Sequence, residues 1–150
     1  MVNTKFTIEK RDLFTVPKDY YLCHCISADI ALGAGIAKEF AKRGVKDALI
    51  KKYGRYRFYS DVSASCLDTS STDWKGEYNL VTKEKYWDKP TYYALKNALA
   101  DMKGYCQAGD KIAMPKIGCG LDRLKWNDVE KIIKDVFADT DVEILVCDWR

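Results

Sequence analysis

Histidine is nearly absent from this 150-residue chain, with one at position 24, and there are only three prolines. That histidine lies between Cys23 and Cys25 in an apolar stretch. On a strand such neighbours point to opposite faces, so the three do not converge on one ion as the four ligands of a structural zinc site must. No metal and no cofactor are expected. Long hydrophobic runs are lacking too. The best candidate, 20–37, contains His24, Asp29, Gly33 and Gly35, each costly or helix-weakening in lipid, which excludes a membrane span. No basic stretch leads into an apolar run after Met1, so a cleaved secretory signal is not expected and the protein is placed inside the cell, in cytoplasm or nucleus. There is no G-K-[ST], which excludes a Walker-type triphosphate site, and Lys38 stands where the dinucleotide fingerprint needs its third glycine. Charge of one sign is in short supply as well. Lys+Arg 25 against Asp+Glu 22 leaves +3, scattered along the chain, which excludes a dedicated electrostatic DNA binder.

What is present suits one globular domain over 1–150, with 47% hydrophobic and 31% charged residues. A chain of this size withdraws about 68–70% of its unfolded surface from water, enough for a core without disulfide or metal staples. The six cysteines are therefore expected as reduced thiols, most of them small buried hydrophobes. Polar and apolar residues alternate over 4–10, predicting a half-buried strand, and 20–26 predicts a more buried one. Ile36, Ala37, Phe40 and Ala41 follow Gly33 and Gly35 at helical spacing. The spacing predicts short strands at 55–59, 78–82, 111–114 and 142–147, and an exposed loop with no structural role over 60–76. Pro90 opens a helix with Tyr92, Leu95, Leu99 and Met102 on one face. Asn127 with Glu130 makes a capping pattern for a last helix through Val129, Ile132, Ile133, Val136 and Phe137. Strands alternating with helices predict an α/β sheet covered on both faces.

Two loops carry most of the chemistry: Gly33-Ala34-Gly35-Ile36 and Gly118-Cys119-Gly120-Leu121. Each follows a strand. Glycine lets the backbone approach a ligand and leaves main-chain N–H groups free for an anion such as a pyrophosphate, while either loop alone is equally an ordinary turn. His24 reads as a histidine satisfied by a backbone group or as a ligand contact. Lys83 ends an apolar strand, where an amine is either solvated or desolvated and nucleophilic. Asp122 follows the second glycine loop, as a general acid/base or as a cap.

Six ordered blocks resemble the macro domain family, and within it the terminal ADP-ribose protein glycohydrolase branch. They are Asp12-Leu13-Phe14, His24-Cys25-Ile26-Ser27-Ala28-Asp29, Gly33-Ala34-Gly35-Ile36-Ala37, Leu80-Val81-Thr82-Lys83, Lys89-Pro90-Thr91-Tyr92, and the run from Met114 to Trp126. The resemblance implies a three-layer α/β/α fold with a mixed, roughly six-stranded sheet that binds ADP-ribose across the strand ends. It assigns Asp12 to the adenine amino group, with Leu13, His24 and Ser27 among the ligand contacts, and the two glycine loops to the diphosphate. It implies Lys83 and Asp122 as catalytic residues of a hydrolase that frees acidic side chains of proteins from mono-ADP-ribose at a C1″ ester, and that also deacetylates O-acetyl-ADP-ribose. Modified proteins would be its partners, nucleic acid only as a modified substrate, and the protein a monomer. Phosphatase action on ADP-ribose-1″-phosphate, hydrolysis of ADP-ribose from a nucleic-acid base, and a non-catalytic ADP-ribose reader are the alternatives. Two departures stand out: Arg11 precedes Asp12 where the family usually has glycine, and Cys25, Ser27 and Asp29 replace an asparagine-rich motif, which favours the lysine route.

Overall fold

A computed structural model describes residues 5–55 and 58–149. Six strands form one sheet: β1 (Lys5–Glu9), β2 (Tyr20–Ser27), β3 (Ser65–Thr69), β4 (Gly76–Lys83), β5 (Lys111–Met114) and β6 (Glu143–Cys147), in the order β1-β6-β5-β2-β4-β3. All neighbours are parallel except β3, which runs antiparallel to β4. Helices α1 (Gly35–Lys42) and α2 (Val45–Tyr53) cover one face, and α3 (Tyr92–Lys103) and α4 (Trp126–Val136) the other. The architecture is thus the three-layer α/β/α expected, with a mixed sheet. None of the helices among the described residues is long and apolar enough to cross a membrane.

Alternation along the central strands builds the two cores. Leu22 and Ile26 of β2 join Phe40, Val45 and Leu49 beneath α1 and α2, whereas Cys23 of β2 and Tyr78 and Leu80 of β4 join Leu95, Leu99, Met102, Val129 and Ile133 beneath α3 and α4. Each large apolar side chain so buried contributes about 1.5–3 kcal/mol. All six cysteines are free thiols.

Four expectations need correction. The 60–76 segment is not a structureless loop: it supplies β3, with Ala64, Cys66 and Leu67 buried and the Cys66 N–H donating to Asp101 Oδ2 (2.7 Å). Ser-Cys-Leu-Asp-Thr has little strand character of its own, and its pairing with β4 imposes it. Within the predicted 55–59 strand, Phe58 and Tyr59 belong to no strand and Phe58 is exposed, while 56–57 lie outside the described residues. Helix α4 starts at Trp126 with Lys125 as N-cap and no side-chain cap, rather than on an Asn127 box. Its start is set by the Tyr92 hydroxyl, which accepts from the Lys125 N–H (2.9 Å). The first strand, β1, is an edge strand and more exposed than half-buried, with Phe6 the residue turned inward. Helix α2 had no counterpart among the expected elements. It starts after Gly44, whose φ of +90° suits glycine, and buries Val45 and Leu49 in the core with Ile50 and Tyr53 packed against it.

Candidate active site

Because β1, β2, β4, β5 and β6 run in one direction, their C-terminal ends and the loops that leave them share one edge of the sheet. The loop after β1 turns through a 3-10 helix, Leu13–Thr15, capped by Asp12, whose Oδ1 accepts from the Phe14 N–H (3.1 Å). Arg11 points elsewhere. Its guanidinium donates to Glu9 (3.2 Å), to Thr15 Oγ1 (3.2 Å) and to the Thr15 carbonyl (3.0 Å), so it clamps the turn that a glycine would otherwise make.

Beside this turn lies a cleft of about 340 Å³, lined by Asp12, Leu13, Gly35, Ile36, Pro115 and Trp149 among others. Four of the sequence-derived site residues therefore meet there. Arg43 and Glu39 of the α1 region also line it, with the Arg43 guanidinium 3.8 Å from the centre of the Phe14 ring. Neither these two nor Trp149 is legible in the sequence as a site residue, because a charged residue one helical turn on and an aromatic near the C-terminus carry no spacing signal.

The first glycine loop reaches α1 through strained backbone. Ile30 and Leu32, both buried, have φ of +53° and +42°, and Gly35 opens the helix at +58°. The N-cap, Ala34, offers no side-chain acceptor, so the first N–H groups of α1 have no cap from their own chain. Gly33 and Ala34 are exposed. Across from them, the second loop is closed by hydrogen bonds from the Leu124 N–H to the Gly118 carbonyl (2.7 Å) and from the Arg123 N–H to the Gly120 carbonyl (3.2 Å). The two loops meet where a Cβ on Gly35 would lie 3.4 Å from Leu121 Cδ1. Gly118 needs its φ of +73°, and Gly120 has open space around its Cα. Cys119 is half-buried, and burial pushes its thiol up.

At the end of β4, Lys83 Nζ donates to Asp122 Oδ1 at 2.7 Å, with 14% and 17% of the two side chains exposed. The pair joins a strand end to the second glycine loop across 39 residues of sequence. A register irregularity between Ile26 and Ser27 brings Ser27 opposite Lys83, and the Ala28 N–H donates to the Lys83 carbonyl (2.9 Å). Ser27 is buried and donates its hydroxyl to Asp29. Cys25 sits close enough to feel the pair: burial first, and then the Asp122 charge, push its thiol up to about 12. Packed against the α3 and α4 core, it stays a neutral thiol rather than a nucleophile.

His24 is brought elsewhere. It is fully buried under α1, stacked on Phe40 with ring centres 3.7 Å apart, and its Nε2 donates to Asn79 Oδ1 (2.6 Å). The partner is a side chain, not the backbone group expected, and the ring lies behind the site instead of lining it. Asn79 is oriented by donating to the Leu67 carbonyl (2.9 Å), which leaves its oxygen for His24. No group of three His, Cys, Asp or Glu residues among those described is arranged to hold a metal ion.

No family model matches the chain. The ADP-ribose glycohydrolase OARD1 of Homo sapiens is 37% identical over 158 residues, an alignment covering 95% of this chain and 91% of that protein. Among solved structures, the macrodomain of Mycobacterium tuberculosis DarG matches with a TM-score of 0.76 at 21% identity, over 99% of this chain and 100% of that one. The macrodomain of Thermus aquaticus DarG matches with a TM-score of 0.77 at 18% identity, over 97% and 99%. At those identities the two structures speak for the fold.

Proposed function

This chain belongs to the macro domain family, and from that premise we propose that it is an ADP-ribose-binding hydrolase that cleaves mono-ADP-ribose from acidic side chains of proteins. The observation that carries the reading is the 2.7 Å contact between Lys83 Nζ and Asp122 Oδ1, at the far end of the site from the Asp12 cleft. The name of the human relative, an ADP-ribose glycohydrolase, supports the same substrate class.

ADP-ribose fits the layout from end to end. The adenine would enter the cleft beside Asp12 and Trp149, with the second Asp12 oxygen free of the cap and available to accept from the adenine amino group. The diphosphate would lie between the two glycine loops, on the uncapped N–H groups of α1. The distal ribose then reaches Lys83 and Asp122. Asp122 takes a proton from the Lys83 ammonium, and the free amine attacks C1″. The C1″–O bond breaks, its electron pair leaves with the carboxylate of the substrate protein, and an Nζ–C1″ bond forms. Asp122 then gives its proton to the ring oxygen and takes one from Nζ, so the ribose opens to a C1″=Nζ iminium. Water, with Asp122 returning the proton, hydrolyses the adduct to ADP-ribose and free lysine. The acetyl ester of ADP-ribose presents the same leaving group, a carboxylate, and would be turned over by the same route.

The test offers the wild-type protein three substrates, one each with glutamate-ester, 1″-phosphate and nucleobase linkage, and identifies products by mass spectrometry. Release from the ester is expected. Borohydride added during turnover should fix a reduced adduct on Lys83. Lys83→Ala should keep ADP-ribose affinity and lose turnover by about a thousandfold or more, and Lys83→Arg should not rescue it, because a guanidinium stays protonated at every pH up to about 12 and offers no free amine. Full activity in the arginine variant, or turnover without any adduct, would remove the lysine mechanism in favour of water attack directed by Asp122.

A further inference from the structure

Beyond Lys83, the chain enters a tight turn that displays an aromatic pair to solvent. Tyr86 and Trp87 are 63% and 65% exposed and meet edge to face with ring centres 4.9 Å apart. Apolar rings left in water at a turn contribute nothing to the core, and large exposed apolar groups gathered in one place mark contact surfaces.

The turn that carries them is pinned on several sides. The Asp29 N–H donates to the Glu84 carbonyl (3.2 Å), and the Tyr86 N–H to Asp29 Oδ2 (3.1 Å). Within the turn, the Lys85 N–H donates to Asp88 Oδ2 (3.0 Å) and the Asp88 N–H to the Lys85 carbonyl (3.0 Å). Lys89 Nζ reaches across to the Leu121 carbonyl (3.2 Å) of the second glycine loop, whose Leu121 side chain is itself 66% exposed. The rings are thus presented on a fixed support tied to both loops of the site.

Direction follows from the sheet order. The Asp12 cleft lies at the β1 and β6 side, and Lys83 lies on β4, toward the other edge. A ligand laid from the cleft to Lys83 points its C1″ substituent toward the turn after β4. We propose that the Tyr86–Trp87 pair is a specificity platform that holds the polypeptide flanking the modified carboxylate, its main chain and apolar side chains lying against the two rings. This rests on the reading that C1″ reaches Lys83. A polypeptide fits better than a nucleic-acid strand because the turn carries Glu84 and Asp88 against Lys85 and Lys89, a balance with no cationic stripe for phosphates to follow.

The test is binding, so that it does not depend on turnover. Calorimetry compares free ADP-ribose with a non-hydrolysable conjugate that joins C1″ through an oxime to a peptide with leucine on either side of the linkage. The wild-type protein should bind the conjugate about tenfold tighter than ADP-ribose. Trp87→Ala and Tyr86→Ala, each checked for an unchanged circular dichroism spectrum, should each lose most of that gain while their affinity for ADP-ribose stays as it was. A conjugate that binds no tighter than ADP-ribose, or a gain that survives both substitutions, would overturn the platform. A gain seen only with an oligonucleotide conjugate would overturn it too, and assign the rings to a base. If wild-type protein bound neither ADP-ribose nor conjugate, the function proposed above would fall first and the platform with it.

Discussion

At the scale of the residue, the second glycine loop separates two roles that look alike in sequence. Gly118 has φ +73°, and a Cβ there would lie 2.9 Å from Leu124 Cδ1, whereas at Gly120 a Cβ would meet nothing within 4 Å. Gly118 is therefore required by the backbone, and Gly120 only by whatever approaches it. Gly118→Ala should lower stability by about 1–2 kcal/mol, the cost of a left-handed residue with a side chain, read as a lower unfolding midpoint. Gly120→Val should leave the midpoint within about 0.5 kcal/mol of wild type, and weaken ADP-ribose binding by about tenfold or more, because the branched side chain occupies the space of a phosphate. A Gly120→Val protein with wild-type affinity would show that this loop is a turn and not a cradle. In the sequence both are members of one G-x-G. Only the dihedral angles tell them apart.

At the scale of the element, β2 illustrates how a chemically suggestive residue is absorbed by its strand. His24 lies in a buried strand whose two neighbours run parallel to it, with Asn79 of β4 directly opposite in register. Among the described residues the Nδ1 atom has no hydrogen-bond partner, so a second proton on the ring would be buried without an acceptor. Burial accordingly pulls the imidazole down from 6.5 to about 4, with the Asn79 hydrogen bond opposing in part. The folded pKa is lowered, so the neutral ring favours the folded state above about pH 6.5, and this advantage is lost as pH falls toward 4. Over that window the unfolded chain binds a proton that the folded chain refuses, and stability drops by roughly 3 kcal/mol in all. Chemical denaturation between pH 7 and pH 4.5 should show the slope. His24→Gln, which keeps a donor toward Asn79 but cannot titrate, should be less stable at pH 7 through loss of the Phe40 stack and should show a flatter pH dependence. An unchanged slope would place the acid sensitivity in other groups.

For the whole molecule, the proposed site draws on the loops after β1, β2, β4 and β5 and on the C-terminal segment at Trp149, so a ligand that bridged them would tie both halves of the sheet together. ADP-ribose at about a hundred times its Kd should stabilise the folded chain by about 2.7 kcal/mol, raising Tm by about 5–10 °C. AMP, which reaches only the Asp12 end, should need a higher concentration for the same shift. Equal shifts at equal concentrations would argue that the loops and Lys83 contribute nothing to affinity. The sequence alone determined the alternation of strand and helix, the four-residue β5 strand to its exact ends, and the placement of both glycine loops after strands, because periodicity and glycine placement are local. It did not determine β3, which exists through its pairing with β4, nor the start of α4, which Tyr92 sets from another helix, nor the fate of His24, which depends on Phe40 and Asn79 arriving from separate elements. The Lys83 to Asp122 contact is of the same kind. Two side chains 39 positions apart become partners only when parallel strands bring their C-terminal loops to one edge, since long-range contacts are fixed by topology and close approach and leave no spacing in the chain.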